Sequence, residues 1–143
     1  MSDIIVKFHE HEQVADELLV FAVIMTRHNN KWIFCRHKER DTYEIPGGHR
    51  EAGESIDDAA KRELTEETGA LKYKTLPISA YSVTIDGITT YGKLYFAEIF
   101  DLGLLSSESE IAEIYHFDSL PEKLTYPLIQ SVLYQNTLMW FNR

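Results

Sequence analysis

The stretch RELTEETGA, residues 62–70, places three glutamates within five positions, between an arginine and a glycine. Ser55 upstream is a suitable N-cap, and Gly69 suits the left-handed position that ends a helix. Apolar residues recur every four positions between these two caps. The sequence therefore predicts a helix over residues 54–68. Like charges at helical spacing repel each other, so this group of glutamates needs a physical explanation.

The three carboxylates lie close together on a helical wheel. Glu63, Glu66 and Glu67 fall within an arc of roughly 100°, which overlaps the apolar stripe. Partly buried carboxylates that repel each other are costly unless a cation binds them. Arg62 can offset one charge, and a hard divalent cation, Mg²⁺ or Mn²⁺, would offset the rest. The alternative is a solvated acidic face with an Arg62–Glu66 ion pair.

Glycines just before this helix favour a ligand site over a solvated face. Gly47 and Gly48 are followed by Glu51, Gly53 and Glu54, which predicts a tight loop. Glycine lets backbone amides and carbonyls approach a ligand closely. The loop and the helix together are therefore the candidate functional segment.

The rest of the chain carries mainly strand and turn signals. In chain order we expect a buried strand over 18–26, a turn over 28–30, a strand over 31–37, a short extended piece over 43–48, long strands over 71–85 and 89–100 joined by a turn at 86–87, a strand over 111–117, and a helix over 125–142 with Leu128, Val132, Leu133 and Leu138 on its apolar side. This order predicts a mixed sheet covered by helices.

Length, charge and cysteine content limit the classes of protein. The chain has 143 residues, which suits one domain over 1–143, and its formal net charge is −9. The acidic balance argues against broad binding to nucleic acid or anionic membranes. Cys35 is the single cysteine and is expected to be a buried strand residue, in keeping with a reducing, cytoplasmic setting. Neither a signal peptide nor an apolar run of about 20 residues is present, so no membrane partner is expected.

The spacing of the loop and helix residues resembles the signature of the Nudix hydrolases, GX5EX7REUXEEXGU, in which U is aliphatic. Gly48, Glu54 and the run from Arg62 to Gly69 fill every fixed position over residues 48–70, and Leu64 takes the first aliphatic position. The last aliphatic position holds Ala70, which is smaller than the usual Ile, Leu or Val and should affect packing more than chemistry.

The resemblance implies a fold, a reaction and a set of roles. The fold would be α+β, an α/β/α sandwich with a mixed sheet and a loop–helix–loop motif. Such enzymes use Mg²⁺ or Mn²⁺ to cleave a nucleoside diphosphate linked to another moiety. Glu54 would support the site, and Arg62 would orient the glutamates by salt bridges. The metal ligands implied by the resemblance are Glu63, Glu66, Glu67 and the carbonyl of Gly47.

A general base must also take a proton from the attacking water. In this family the base is sometimes a glutamate of the signature and sometimes one from a later loop. The later candidates here are Glu108, Glu110 and Glu113. We prefer Glu110 because it directly precedes the strand expected over 111–117, and the alternative for each of the three is an exposed loop acid.

Substrate contacts are less specific in the sequence. Aromatic side chains commonly stack on nucleobases, and the candidates by position are Trp32, Tyr43, Tyr81, Tyr91 and Phe96. A basic cluster before the motif is placed to meet phosphates or to be a solvated hairpin end; it consists of Arg36, His37, Lys38 and Arg40.

Four functions remain open, in a fixed order of preference. The compact chain resembles family members that hydrolyse nucleoside triphosphates, ordinary or oxidised, to a monophosphate and pyrophosphate. The second function is removal of pyrophosphate from the 5′ end of RNA, and the third is hydrolysis of ADP-ribose or a nucleotide sugar. The non-enzymatic alternative is a catalytically silent nucleotide-sensing domain. The chain would act as a monomer or a homodimer.

Overall fold

A computed structural model describes residues 3–143 of the chain. Its strands and helices, in chain order, are β1 (Ile4–His9), β2 (Leu19–His28), β3 (Lys31–His37), β4 (Gly47–His49), α1 (Ile56–Thr68), β5 (Ala70–Ile85), β6 (Ile88–Leu102), β7 (Ile111–Phe117) and α2 (Pro127–Phe141). Two short 3₁₀ turns connect β1 to β2.

The strands form one mixed sheet in the order β1-β5-β6-β2-β3-β7, with β4 paired to β2 outside this path. Strands β2 and β6 run parallel, and the other pairs are antiparallel. One edge of β2 is shared: residues 21–23 pair with β4, and residues 26–28 pair with β3. The segment that leads into α1 is therefore hydrogen-bonded to the centre of the sheet.

The two helices cover opposite faces of this sheet. Successive residues of a strand point to opposite faces. Ile24 packs in a core cluster with Leu64 of α1, whereas Met25, the next residue, packs in a second cluster with Leu133 of α2. The sheet thus lies between the helices, and the predicted α+β fold, an α/β/α sandwich, is confirmed.

The predicted hairpin turns are present. Asn29 and Asn30 have φ angles of 52° and 63°, and Asp86 and Gly87 have φ angles of 52° and 79°. Paired positive φ angles give a turn the twist that a two-residue hairpin needs. The strands predicted over 31–37 and 111–117 have those bounds in the structure.

The ends of the chain differ from the sequence-based expectation. Strand β1 was not predicted, because six residues with weak alternation carry little signal until they pair with β5. Leu128 was predicted on the apolar side of the last helix, but it is 63% exposed, whereas Leu133 is buried. Apolar residues occur on every side of α2, so their spacing does not identify the buried side.

Cys35 is buried in β3 with a free thiol, as expected. Within residues 3–143 we find no helix of the length and apolar character needed to cross a membrane.

Candidate active site

Helix α1 begins and ends where its caps predict. The hydroxyl oxygen of Ser55 accepts a hydrogen bond of 3.0 Å from the backbone N–H of Asp58, which caps the first turn. Gly69 has a φ angle of 81°, and its N–H donates to the carbonyl of Thr65. The helix starts at Ile56, two residues later than predicted, because Ser55 is the cap and lies outside the helix.

The glutamates of α1 differ in exposure. The side chains of Glu63 and Glu67 are 12% and 11% exposed, whereas that of Glu66 is 57% exposed. The predicted overlap with the apolar stripe therefore buries two of the three carboxylates. Each of these two must be hydrogen-bonded or neutralised, because a buried charge without a partner is costly.

Arg62 binds several of these carboxylates at once. Its Nε donates to Glu54 at 2.7 Å, and its Nη1 donates to Glu63 at 2.8 Å and to Glu66 at 3.3 Å. Nη2 donates to Glu54 and to the carbonyl of His49, both at 3.0 Å. These bonds from Arg62 lower the pKa of Glu54 to about 2. Arg62 thus fixes the loop before the helix relative to the helix itself.

Glu67 is the most strongly perturbed acid of the site. Burial raises its pKa to about 8, against the effect of a 2.8 Å hydrogen bond from the N–H of Gly47. The nearby carboxylates of Glu63, Glu44 and Glu110 raise the pKa further. Burial also raises the pKa of Glu63, although Arg62 opposes this. The site concentrates negative charge that its own cations balance only in part.

The predicted metal ligands do not converge on one point. Residues 3–143 contain no group of three or more His, Cys, Asp or Glu side chains placed to hold a metal ion. The carboxylates repel each other and bind different partners: Glu63 and Glu66 accept hydrogen bonds from Arg62, and Glu67 accepts one from Gly47. Gly47 donates its N–H to Glu67, and the role of its carbonyl as a metal ligand, which the resemblance implies, stays a prediction. The donor chemistry still suits a hard divalent cation, since the ligands are oxygen atoms and a cation would lower the raised pKa values of Glu63 and Glu67.

A cavity of about 710 Å³ adjoins these carboxylates. Glu63 and Glu67 line it, and Glu110 is the candidate general base that reaches it. The backbone carbonyl of Glu110 accepts a 2.9 Å hydrogen bond from the N–H of Lys38, which places this loop at the end of β3. Glu113 instead pairs with Arg36 at 4.0 Å. Glu54 and Glu66 lie outside the cavity lining, so their predicted contributions would come through Arg62 or from the rim.

Glu44 is a cavity residue that the sequence analysis missed. It is 9% exposed and binds Arg40 at 2.7 Å, Thr125 at 3.2 Å and His37 at 3.5 Å. A charged residue inside the short extended segment YEIPGG was the available signal. Its position next to Glu67 makes it part of the same acidic group.

The aromatic candidates differ in whether they reach the cavity. Tyr81 and Tyr91 line it, and Tyr81 is also a buried member of the core cluster on the α2 side. Trp32 and Phe96 belong to the core on the α2 side, and Tyr43 packs against other aromatic rings. The lining residues that the sequence analysis missed, and that carry no local motif, include Phe21, Tyr126 and Gln130.

The basic cluster also divides. His37 and Arg40 line the cavity, where they can face an anionic ligand. Arg36 pairs with Glu113, and Lys38 donates to the carbonyl of Ser107 at 3.0 Å. Half of the predicted cluster is therefore occupied by structural contacts away from the cavity.

Gly48 lies directly against the Glu63 carboxylate. A methyl group at this position would lie 2.5 Å from Cδ of Glu63. Because that carboxylate is the end of a flexible side chain, we expect Gly48→Ala to move it while leaving the fold intact. The expected result is a loss of kcat/KM on the order of 100-fold, as for a misplacement of about 1 Å. Steady-state kinetics and thermal unfolding of the same preparation measure both quantities.

Gly47→Ala provides the matched comparison. A methyl group there would lie 2.5 Å from the backbone carbonyl oxygen of Ala22, which cannot move independently of the sheet. We expect this variant to lose about 1–3 kcal/mol of unfolding free energy. Normal kcat/KM in Gly48→Ala would show that the observed position of the Glu63 carboxylate is not needed for activity.

Comparison with known proteins adds a family and several relatives. The profile of the NUDIX domain matches residues 17–127. The Bacillus subtilis (strain 168) protein YtkD, provisionally named as an 8-oxo-dGTP diphosphatase, is 33% identical over 102 residues, which cover 71% of this chain and 64% of that protein's length.

Solved structures show the same fold. The Bacillus subtilis pyrophosphohydrolase BsRppH, solved as a mutant, superposes with a TM-score of 0.81 at 26% identity, covering 96% of this chain and 90% of that one. An ADP-ribose pyrophosphatase from Streptococcus suis 89-1591 superposes with a TM-score of 0.65 at 16% identity, covering 86% and 91% of the two chains. At that identity the second likeness concerns the fold alone.

Proposed function

Since this chain belongs to the NUDIX domain family, we propose that it is a metal-dependent pyrophosphohydrolase that converts a nucleoside triphosphate, ordinary or oxidised, to a monophosphate and pyrophosphate. The observation that supports this most directly is the composition of one cavity. Glu63, Glu67 and Glu110 line it together with His37 and Arg40. Its volume of about 710 Å³ is that of a small-molecule site.

A divalent ion, Mg²⁺ or Mn²⁺, would be held by Glu63, Glu66 and Glu67. When bound, it would supply positive charge to the phosphate oxygens and would favour ionisation of water. Metal binding requires ionised carboxylates. Because burial raises the pKa of Glu67 to about 8, binding at neutral pH is expected to release a proton from this residue.

The residues of the chain supply positioning and proton transfer. Arg62 holds Glu63 and Glu66 in place through its bonds at 2.8 and 3.3 Å, and Glu54 fixes Arg62 in turn. Glu110, as general base, would accept the proton of the attacking water. His37 and Arg40 would bind the phosphates that α1 does not reach.

A second candidate substrate is the 5′ end of RNA. The structural similarity to the pyrophosphohydrolase BsRppH, over nearly the whole chain, favours the same class of reaction. The net charge of −9 counts against an extended polyanion as ligand. A third candidate is ADP-ribose or another nucleotide sugar. The complete set of signature glutamates counts against a silent nucleotide-sensing domain.

A substrate panel tests the proposal. Purified protein with Mg²⁺ or Mn²⁺ is incubated with ordinary and 8-oxo nucleoside triphosphates, ADP-ribose, dinucleoside polyphosphates and a 5′-triphosphate RNA. Products are separated by ion-exchange chromatography. We expect a monophosphate and pyrophosphate from a triphosphate, no reaction in EDTA, and no reaction in Glu66→Gln.

Each other outcome replaces the proposal with a named alternative. If the RNA end or ADP-ribose is hydrolysed faster than the triphosphates, that molecule is the substrate of the same site. Nucleotide binding without hydrolysis under any metal condition would make the chain a sensing domain.

A further inference from the structure

Gln130 has an unusual position on α2. Its side chain is 6% exposed and lines the cavity, yet its Oε1 atom has no hydrogen-bond partner within residues 3–143. The backbone N–H of Gln130 donates to the carbonyl of Tyr126 at 2.9 Å, so the residue is fixed in the first turn of the helix. A buried amide oxygen without a partner destabilises the fold, which calls for an explanation.

The surroundings of Gln130 differ from those of the carboxylates. Glu63 and Glu67 reach the cavity from α1, on one face of the sheet, and Gln130 reaches it from α2, on the other face. The neighbouring lining residues Ile129 and Leu133 are apolar. The lining also includes the aromatic rings of Tyr81 and Tyr91. Apolar and aromatic side chains around a buried amide suit a flat, weakly polar ligand better than phosphate.

We propose that Gln130 determines base specificity: its side-chain amide hydrogen-bonds the edge of the nucleobase while the phosphates lie at the α1 carboxylates. This inference rests on the proposed function, since it places the base of the same nucleotide.

The chemistry of the amide defines which edges it can bind. A glutamine side chain presents an acceptor, Oε1, and two N–H donors on Nε2, and both atoms are bonded to the same carbon. It pairs with an edge that offers a donor beside an acceptor, as glutamine does with N6 and N7 of adenine. Rotation about the last bond of the side chain, which has a broad torsional profile, exchanges the positions of Oε1 and Nε2. A base that offers two acceptors to the amide would place one of them against Oε1, where no hydrogen bond forms. Such a base would therefore bind more weakly.

The test compares Gln130→Leu with Gln135→Leu. Gln135 is an exposed residue of the same helix and is outside the cavity, so its substitution is a matched control. We measure kcat/KM for the four ordinary nucleoside triphosphates with each protein. We expect Gln130→Leu to lower kcat/KM for the preferred base by about 10- to 100-fold and to equalise the four bases. Gln135→Leu is expected to keep the wild-type ratios.

Thermal unfolding separates specificity from folding. Leucine has a similar size and removes an unsatisfied oxygen, so we expect Gln130→Leu to unfold at the wild-type temperature or above it. Retained base ratios in Gln130→Leu, or a wild type indifferent to the base, would overturn the inference.

A binding measurement keeps this inference distinct from the proposed reaction. The four nucleoside 5′-monophosphates are titrated into each protein by calorimetry in metal-free buffer. If the wild type hydrolyses nothing, the proposed function fails. A base preference in Kd that Gln130→Leu removes would then still support the role of Gln130, and the lack of any preference would refute it.

Discussion

Glu67→Gln is expected to abolish hydrolysis and to stabilise the metal-free protein. Glutamine keeps the shape of the side chain and can still accept the 2.8 Å hydrogen bond from Gly47. It removes a charge that the proposed metal site needs, so we expect kcat/KM to fall by about 10³-fold or more. The same change removes a buried carboxyl group that is costly to ionise.

The gain in stability depends on pH in a defined direction. The pKa of Glu67 is about 8 in the folded protein and 4.5 as a free side chain. Between these two pH values the folded protein therefore keeps a proton on Glu67 that the unfolded chain loses. The contribution of Glu67 to stability is therefore fully present below pH 4.5 and is lost as the pH rises to about 8. At pH 7 in EDTA, the free energy of unfolding of Glu67→Gln is expected to exceed that of the wild type by on the order of 2–3 kcal/mol.

Urea unfolding at pH 5 and pH 8, with and without Mg²⁺, measures this effect. The wild type should lose more stability between the two pH values than the variant does. Added Mg²⁺ should stabilise the wild type and leave the variant unchanged. If Glu67→Gln still hydrolyses substrate, or if the stability of both proteins depends equally on pH, Glu67 does not have the role proposed for it.

Glu110→Gln is expected to lower turnover by about 10²- to 10⁴-fold, the usual contribution of a general base. Glu110 is exposed at the rim of the cavity, so its charge contributes little to folding. We therefore expect the unfolding temperature and KM to stay close to the wild-type values. Single-turnover kinetics with saturating enzyme isolate the chemical step.

Glu108→Gln and Glu113→Gln are the matched controls for this prediction. Both residues come from the same segment and lie outside the cavity lining, so both variants should retain wild-type turnover. If Glu110→Gln turns over normally, the base must be another acid, and Glu44 becomes the first to test because it borders Glu67.

The helix and its loop were predictable because their constraints are local. Ser55 and Gly69 determine the caps of α1 from neighbouring residues alone, and the burial of Glu63 and Glu67 follows from helical periodicity. The two hairpins were predictable for the same reason, since the Asn29-Asn30 and Asp86-Gly87 pairs favour the required φ angles.

The cavity lining outside α1 and its loop was not predictable, because it depends on tertiary packing. Phe21 lies on β2, whereas Tyr126 caps α2 and Gln130 lies in its first turn, so no local pattern in the sequence connects them. The edge strand β1 likewise depends on its pairing with β5. Phe96 and Tyr91 had the same local features, and only the packing of the sheet distinguishes the core ring of Phe96 from the cavity ring of Tyr91.

The placement of α1 and α2 on opposite faces of the sheet bears on how such a chain diversifies after gene duplication. On the proposed function, substitutions of the α1 glutamates would affect the reaction itself. Substitutions along the cavity side of α2 would change which nucleotide is bound and leave the acidic group in place. A duplicated copy can therefore acquire a new substrate through a few changes in one helix without passing through an inactive intermediate.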